Sequence, residues 1–299
     1  MIVVFGATGT LGGDVVARLR ARGEQVRAVV RERSEGRASG RHTSLERLED
    51  LGAEVAFADL TRAETLGPAL AGATTVVSTA SATKRPPPDT LESVDAAGTG
   101  ALARAAATAG VAQLVYVSAA GADPAASAPI MRAKGLAEAA IRDAGVPATI
   151  VRPAKYMQDW IGFVLLAQLQ SGRNEIQLIG PGDTPTVFVD ESDVAEVVSK
   201  IAGDAGTVGN TIDLAAEAAT YQNLVARISA RLGGVVRAVT LPPGSTVDTV
   251  PPEVAPVLTG LLTFQAQSPA IESVTPEVAE RFGLAYTSID DFLAAALGS

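Results

Sequence analysis

Cysteine is absent from this sequence, and histidine occurs once, as His42 in a polar, arginine-rich stretch. The chain therefore has no disulfide framework, no thiolate metal site and no cysteine nucleophile, and we expect neither a Ser-His-Asp arrangement nor a histidine metal site. No apolar run approaches the roughly 18 residues of a membrane-spanning helix. The first residues form no cationic signal-peptide region. We therefore expect a cytoplasmic protein with no membrane partner and no metal.

Acidic residues outnumber basic residues in this chain. The 299 residues include 24 Lys and Arg against 33 Asp and Glu, which gives a net charge of −9. Such a charge argues against nucleic acid and anionic membranes as main partners. The hydrophobic content of 47% is sufficient for one large domain, or for a core with a smaller lobe. The expected partner is a small-molecule substrate, and the oligomeric state is left open.

A strand, a glycine-rich turn and a helix follow one another at the start of the chain. Residues 2–5 are apolar, Gly6, Gly9 and Gly12 follow, and residues 13–22 have helical periodicity. Glycines allow a close backbone approach, and a helix N-terminus offers free N–H donors to a pyrophosphate. The motif thus predicts a dinucleotide site. The alternative is a glycine-rich turn in some other α/β protein.

Strands and helices alternate up to Pro153, which predicts an α/β fold of the Rossmann type with a doubly wound parallel sheet. Residues 1–153 form the expected NADP-binding core, to which 203–214 return. Residues 154–202 and 215–299 form the expected smaller substrate-binding lobe. Three local predictions complete this description: a helix over 156–170, a glycine- and proline-rich connection over 172–185, and an irregular apolar segment over 242–276.

Arginine occupies the position that selects between the two nicotinamide dinucleotides. Arg31 ends the second strand, where an acidic residue would bind the ribose hydroxyl and an arginine accommodates a 2′-phosphate. Arg31, with Arg33 as a second candidate, therefore favours NADP(H). A solvated basic loop that binds nothing is the alternative. Asp59, which ends the third strand, is placed to meet the adenine edge, to cap the following helix, or to do both.

The chain resembles the NmrA-like group of atypical short-chain dehydrogenases and reductases. The resemblance rests on the glycine motif, Arg31, residues 58–60, residues 116–119, Lys134 with Glu138, and residues 189–195. That group includes isoflavone reductase-like enzymes, NADPH:quinone reductases and non-catalytic redox sensors. The cofactor-binding residues that motif and resemblance together imply are Gly6, Thr8, Gly9, Thr10, Leu11, Gly12, Arg31, Arg33, Asp59, Leu60, Thr79, Ala80, Ser81, Lys134 and Pro153.

The usual catalytic tyrosine is missing. Short-chain dehydrogenases carry it four residues before the lysine, and that position is Ile130, which cannot act as an acid. The catalytic candidates are Lys134, Ser118 and Tyr156. For each, the sequence leaves an alternative open: Lys134 as an ordinary exposed helix lysine, Ser118 as a turn former, and Tyr156 as a pocket wall together with Trp160.

The leading functional hypothesis is an NADPH-dependent reductase (a ketoreductase or quinone reductase) for a bulky, flat, apolar substrate. Residues 251–264 and the aromatic residues 156–163 are expected to form an apolar pocket. The alternative is that both stretches form only the core of the lobe. The competing function is a non-catalytic NADP(H)-binding redox sensor that acts through a protein partner, and Ile130 favours it.

Overall fold

The computed structural model describes residues 1–31, 43–83 and 87–298, without the side chain of Ser171. Of the residues discussed above, Arg33 and His42 lie outside the described residues. The strands are β1 (Ile2–Phe5), β2 (Val26–Val30), β3 (Glu54–Phe57), β4 (Thr75–Ser78), β5 (Gln113–Val117), β6 (Ala148–Pro153), β7 (Lys155–Tyr156), β8 (Glu175–Ile179), β9 (Thr186–Val189), β10 (Thr211–Leu214), β11 (Glu217–Ala219) and β12 (Arg237–Leu241).

The α-helices are α1 (Thr10–Ala21), α2 (Leu45–Asp50), α3 (Leu66–Ala69), α4 (Thr99–Thr108), α5 (Pro129–Ala144), α6 (Glu191–Ile201), α7 (Tyr221–Arg231), α8 (Ala255–Gln267), α9 (Pro276–Arg281) and α10 (Ile289–Leu297). Short 3₁₀ segments cover Ala63–Thr65, Leu166–Ser171 and Ala205–Thr207, and π-helical segments cover Leu91–Gly98 and Gln158–Phe163.

The chain divides into two compact units. Unit 1 comprises Met1–Pro153 and Ser192–Asp213, and unit 2 comprises Ala154–Glu191 and Leu214–Ser299. The sequence analysis assigned 192–202 to the smaller lobe, and this part of the division was wrong. Within unit 1, Glu196 of α6 accepts hydrogen bonds from Arg18 and Arg22, which are too distant in sequence for periodicity to reveal.

A seven-stranded sheet, counted over the described residues, organises unit 1 in the order β10-β6-β5-β4-β1-β2-β3. The pairings of β1 with β2 and β4, of β2 with β3, and of β5 with β4 and β6 are parallel. Every residue of β1, β4 and β5 is buried, as expected for strands covered on both faces. The Rossmann-type fold class is therefore confirmed, and the segment at 211–214 does return to the main sheet.

Unit 2 contains two small sheets, with strand orders β11-β9-β7 and β12-β8. Its apolar core includes side chains from α7, α8, α10 and the π-helical segment Gln158–Phe163, among them Ile161, Leu224, Leu258 and Leu293. The two stretches that were candidate pocket walls therefore contribute largely to the core of the unit. Trp160 and Phe264 are only partly buried, and Phe163 is exposed.

Three local predictions for unit 2 were wrong. Residues 156–170 do not form one α-helix, because Lys155 and Tyr156 pair with Phe188 and Val189 of β9. The expected connection at 172–185 contains β8, which pairs with the distant β12. The segment at 242–276, expected to be irregular, contains α8. Its proline at position 256 does not prevent the helix, because it lies in the first turn, where the missing N–H removes no hydrogen bond.

No helix in the described part of the chain has the length and hydropathy that a bilayer crossing requires.

Candidate active site

Close backbone packing shapes the glycine-rich turn between β1 and α1. Gly6 has a φ of +85°, and a Cβ there would lie 2.6 Å from Thr79 Oγ1 and 2.8 Å from the Ala80 nitrogen. A Cβ on Gly12 would lie 2.2 Å from the Gly6 carbonyl oxygen, which already accepts a hydrogen bond from Gly9 N–H at 2.9 Å. Only glycine therefore fits at positions 6 and 12 without backbone movement.

The N-terminus of α1 is prepared for an anion. The helix begins at Thr10 with Gly9 in the capping position, no side chain caps it, and its first turn has no acidic residue. The first N–H groups of a helix have no intrahelical partner and lie at the positive end of the helix dipole. A helix start that no side chain caps, directly after a glycine turn, can therefore accept a pyrophosphate.

Loops from neighbouring strands lie beside this turn within unit 1. Thr79 follows β4, and its N–H donates to the Phe5 carbonyl at 3.0 Å, so residues 79–81 lie next to Gly6. Because the strands are parallel, Arg31, Asp59 and Leu60 also follow carboxyl ends of the same sheet. The structure therefore brings these predicted cofactor residues to one edge of the sheet. Pro153 ends β6 there, and its carbonyl accepts from Ala120 N–H.

Asp59 has a local role in the loop after β3. Its Oδ1 accepts hydrogen bonds from the Thr61 N–H at 2.9 Å and the Thr61 hydroxyl at 2.8 Å. The adjacent Leu60 is buried, and a Cβ on Gly98 would lie 2.9 Å from the Leu60 Cβ. Asp59 therefore holds its turn in shape, and contact with an adenine stays a prediction for both residues.

Arg31 forms an ion pair in the described structure. Its Nη1 lies 2.6 Å from Asp89 Oδ2, and both side chains are mostly buried. A guanidinium carries five N–H donors, so one contact with a carboxylate leaves donors for a phosphate. The sequence analysis did not identify Asp89, because nothing local connects residues 31 and 89. Asp89 orients Arg31 and also competes with a phosphate for it.

Lys134 is a buried residue, so the alternative of an exposed helix lysine was wrong. Its Nζ lies 3.2 Å from Asp95 Oδ1, donates to the Val117 carbonyl at 3.2 Å, and lies 5.1 Å from the centre of the Tyr116 ring. Asp95 belongs to the π-helical segment and is fully buried, and its Oδ2 accepts from Ala82 N–H at 2.8 Å. This cluster connects Lys134 to the loop after β4.

The cluster keeps the lysine charged. Burial alone would lower the pKa of Lys134, but Tyr116 and Asp95 outweigh burial and raise that pKa above its ordinary value. Burial raises the pKa of Tyr116, while Lys134 opposes that rise. Because the phenol stays protonated at neutral pH, Asp95 is the anion that stabilises the ammonium. The sequence analysis did not identify Asp95, although an acidic residue within the otherwise apolar stretch 94–97 was the available signal.

Ser118 donates its hydroxyl hydrogen within the protein. Its Oγ lies 2.6 Å from Glu138 Oε1, and Arg152 binds the same carboxylate through two hydrogen bonds of 2.8 and 2.6 Å. Burial would raise the pKa of Glu138, but the hydrogen bonds from Arg152 and Ser118 hold it below its ordinary value. Ser118 therefore connects β5 to α5, and a role toward substrate stays a prediction that uses its acceptor lone pairs.

Tyr156 lies on β7 in unit 2. Burial of its hydroxyl, together with Glu191 and Asp159, raises its pKa well above the ordinary tyrosine value. The phenol is thus protonated at neutral pH but is a weaker acid than a free tyrosine, and this raised pKa does not favour it as a proton donor. The preceding residue, Lys155, was not identified by the sequence analysis.

The fold and the glycine turn define a dinucleotide-binding protein of the Rossmann type. The chain belongs to the NmrA-like family, whose family model matches residues 1–293. The resemblance noted from the sequence motifs is thereby confirmed.

Individual relatives differ in what their names describe. The chain is 33% identical over 196 residues to the photosystem II assembly factor Ycf39 of Trieres chinensis, covering 65% of this chain and 57% of that protein. It is 28% identical to the NAD(P)H azoreductase of Xenophilus azovorans, over 81% of this chain and 77% of that enzyme. The chain thus spans less than two thirds of the length of the assembly factor.

A solved structure shares the fold over the whole chain. The NADPH-dependent quinone oxidoreductase of Escherichia coli, crystallised with NADPH, superposes with a TM-score of 0.79 at 21% identity and covers 100% of both chains. At this identity the likeness establishes the fold.

Proposed function

We propose that the protein is an NADPH-dependent reductase of a carbonyl or quinone group on a bulky, flat, aromatic or polyketide-like small molecule. The observation that carries this proposal is the β1–α1 turn, where Gly6 and Gly12 clear a space beside an uncapped helix N-terminus. Two relatives support the redox assignment, since one is named an NAD(P)H azoreductase and another is a quinone oxidoreductase crystallised with NADPH.

The residues of unit 1 have distinct roles in this proposal. Thr8 to Gly12 receive the pyrophosphate, and Arg31 receives the 2′-phosphate while Asp89 shares its guanidinium. Thr79, Ala80 and Ser81 line the path of the nicotinamide ribose. Bound NADPH supplies the hydride.

Lys134 is a positioning residue in this proposal. Its ammonium is fixed by Asp95 and the Val117 carbonyl, so proton donation from Lys134 would leave the buried Asp95 carboxylate uncompensated. The retained charge instead fixes the end of β5 and the loop at Ala82 relative to each other. A quinone accommodates this arrangement, because its reduced oxygen is stabilised by conjugation and needs little acid catalysis from the protein.

A second candidate is a redox-responsive regulator or assembly factor that binds NADP(H) without turnover. Two observations favour it. Ile130 stands where the catalytic tyrosine is expected, and both Lys134 and Ser118 donate hydrogen bonds to groups inside the protein. A relative named as a photosystem II assembly factor adds to this candidate.

Cofactor binding and cofactor oxidation separate the two candidates. The first measurement is titration of the protein with NADPH, NADP⁺ and NADH. The second is NADPH oxidation, followed by nicotinamide absorbance, against quinones, azo dyes and polycyclic ketones. Tight NADPH binding with quinone-dependent turnover supports the reductase, and tight binding without turnover on any acceptor supports the regulator. Failure to bind NADPH would refute both.

A further inference from the structure

Lys155 carries a partly buried amine without an acidic partner. It lies on β7 in unit 2, and its Nζ donates to Thr186 Oγ1 at 2.9 Å and to Gln265 Oε1. Both partners are neutral and themselves buried. Among the described residues, no carboxylate lies within ion-pair distance of this Nζ, in contrast to Lys134 with Asp95 and Lys200 with Glu196. The charge of Lys155 is therefore poorly compensated inside the protein.

Aromatic rings lie beside the same amine. Nζ is 4.9 Å from the centre of the Trp160 ring, and that ring is 6.1 Å from the Phe264 ring at an angle of 41°. Trp160 and Phe264 both retain exposed surface, so a flat molecule can reach them. An ammonium has three N–H donors, and the two hydrogen bonds to Thr186 and Gln265 leave one of them for a further acceptor.

The energetics of the amine favour an anionic acceptor. Burial lowers the pKa of Lys155 to about 8, so the group is mostly charged at neutral pH but is held at a cost. An anionic oxygen that replaces the missing counter-ion relieves this cost, whereas a neutral carbonyl relieves less of it. Desolvation by the neighbouring rings strengthens the attraction further.

We infer that Lys155, Trp160 and Phe264 form a binding site for a flat aromatic molecule that carries an ionised oxygen, such as the enolate of a hydroxyquinone. The ammonium binds the ionised oxygen while the ring of the ligand lies against Trp160. The choice of ligand rests on the proposed reductase function, of which this site would supply the substrate specificity. The site itself is built from residues of unit 2 alone.

Binding of two matched naphthoquinones to the full-length protein tests this inference. Lawsone, a hydroxynaphthoquinone that is anionic at neutral pH, is compared with the parent naphthoquinone by calorimetric titration, with and without NADP⁺. We expect lawsone to bind more tightly to the unmodified protein. Lys155→Met should weaken lawsone binding about tenfold to a hundredfold, the usual loss for one charge-assisted hydrogen bond, and change naphthoquinone binding much less.

Further variants separate charge from structure. Lys155→Arg should retain the preference for lawsone, and Trp160→Leu should weaken the binding of both naphthoquinones to a similar extent. Lys200→Met, which removes a partly exposed lysine of unit 1, should alter the binding of neither ligand. Lys155→Met is expected to fold, because it replaces a poorly compensated charge with an apolar chain of similar length.

Equal affinities of the unmodified protein for the two naphthoquinones would overturn the inference, as would lawsone binding that survives Lys155→Met. Either result leaves the proposed reductase standing if NADPH is still oxidised by other quinones. Conversely, lawsone binding that depends on Lys155 in a protein that does not bind NADPH would support the site and refute the proposed function.

Discussion

Removing the Lys134 side chain is expected to destabilise the protein severely. Asp95 has no exposed surface and the Lys134 side chain is only 8% exposed, so Lys134→Met leaves a buried carboxylate without its cation. Breaking one partner out of a buried ion pair typically costs about 3–5 kcal/mol. That is a large fraction of the roughly 5–15 kcal/mol by which most domains are stable.

Urea unfolding followed by circular dichroism measures this cost. The double variant Asp95→Asn with Lys134→Met removes both charges, and we expect it to be more stable than Lys134→Met alone. Lys200→Met is the matched control, because Lys200 is more exposed than Lys134 and Glu196 keeps its hydrogen bonds from Arg18 and Arg22. Loss of this i,i+4 pair should therefore cost less than about 1 kcal/mol.

Two results would refute this reasoning. One is a cost for Lys134→Met no greater than that for Lys200→Met, and the other is a double variant less stable than Lys134→Met. The pH dependence gives a further check. The pKa of Lys134 is raised in the folded protein, so its contribution is fully present below the ordinary lysine pKa. It is lost only as the pH rises through the still higher folded value, and we expect no change near neutrality.

Three further predictions concern the cofactor site and acid stability. Arg31→Ala should weaken NADPH binding about tenfold to a hundredfold and leave NADH binding unchanged, whereas Asp89→Ala should not weaken NADPH binding. Titrations in which Arg31→Ala weakens the binding of both cofactors equally would contradict this prediction. A Cβ on Gly12 would lie 2.2 Å from the Gly6 carbonyl oxygen, whereas a Cβ on Gly9 would lie 3.2 Å from it. Gly12→Ala should therefore weaken NADPH binding about tenfold more than Gly9→Ala does. Similar losses of affinity for the two variants would count against this prediction. Because the folded pKa of Glu138 is lowered, its contribution is present above the ordinary Glu pKa and lost as the pH falls through the folded value. The melting temperature of Glu138→Gln should therefore fall less at acidic pH than that of the unmodified protein. The same pH dependence in both proteins would contradict this prediction.

Local patterns predicted unit 1 well. The strand at 2–5, the glycine turn and the helix after it are specified by adjacent residues, so the cofactor edge of the sheet follows from the sequence. The fully buried strands also read directly as apolar runs. The alanine-rich stretch over residues 91–108 is helical, as its composition favours, although its first part is π-helical, a change of hydrogen bonding that residue periodicity does not show.

Unit 2 depends on contacts between distant residues, and the sequence analysis was least successful there. β8 pairs with β12, some sixty residues later. Its alternation of polar and apolar residues is only four residues long, and β12 does not alternate, so neither strand is recognised by itself. The partners of Lys155 and Asp95 come from other elements of their units for the same reason. Sequence alone named Lys134 but not the carboxylate that sets its charge.

The division into units has a consequence for the order in which the protein is made. The chain passes between the units three times, after Pro153, Glu191 and Asp213. During synthesis, β6 therefore remains an unpaired sheet edge until β10 has been made. Arg18 and Arg22 likewise have no ion pair with Glu196 until that residue has been made. Unpaired strand edges are where nascent chains associate with one another. The intervening residues 154–191 consequently belong to the interval in which a growing chain is most exposed to aggregation, and a fragment that stops at 153 retains that edge permanently.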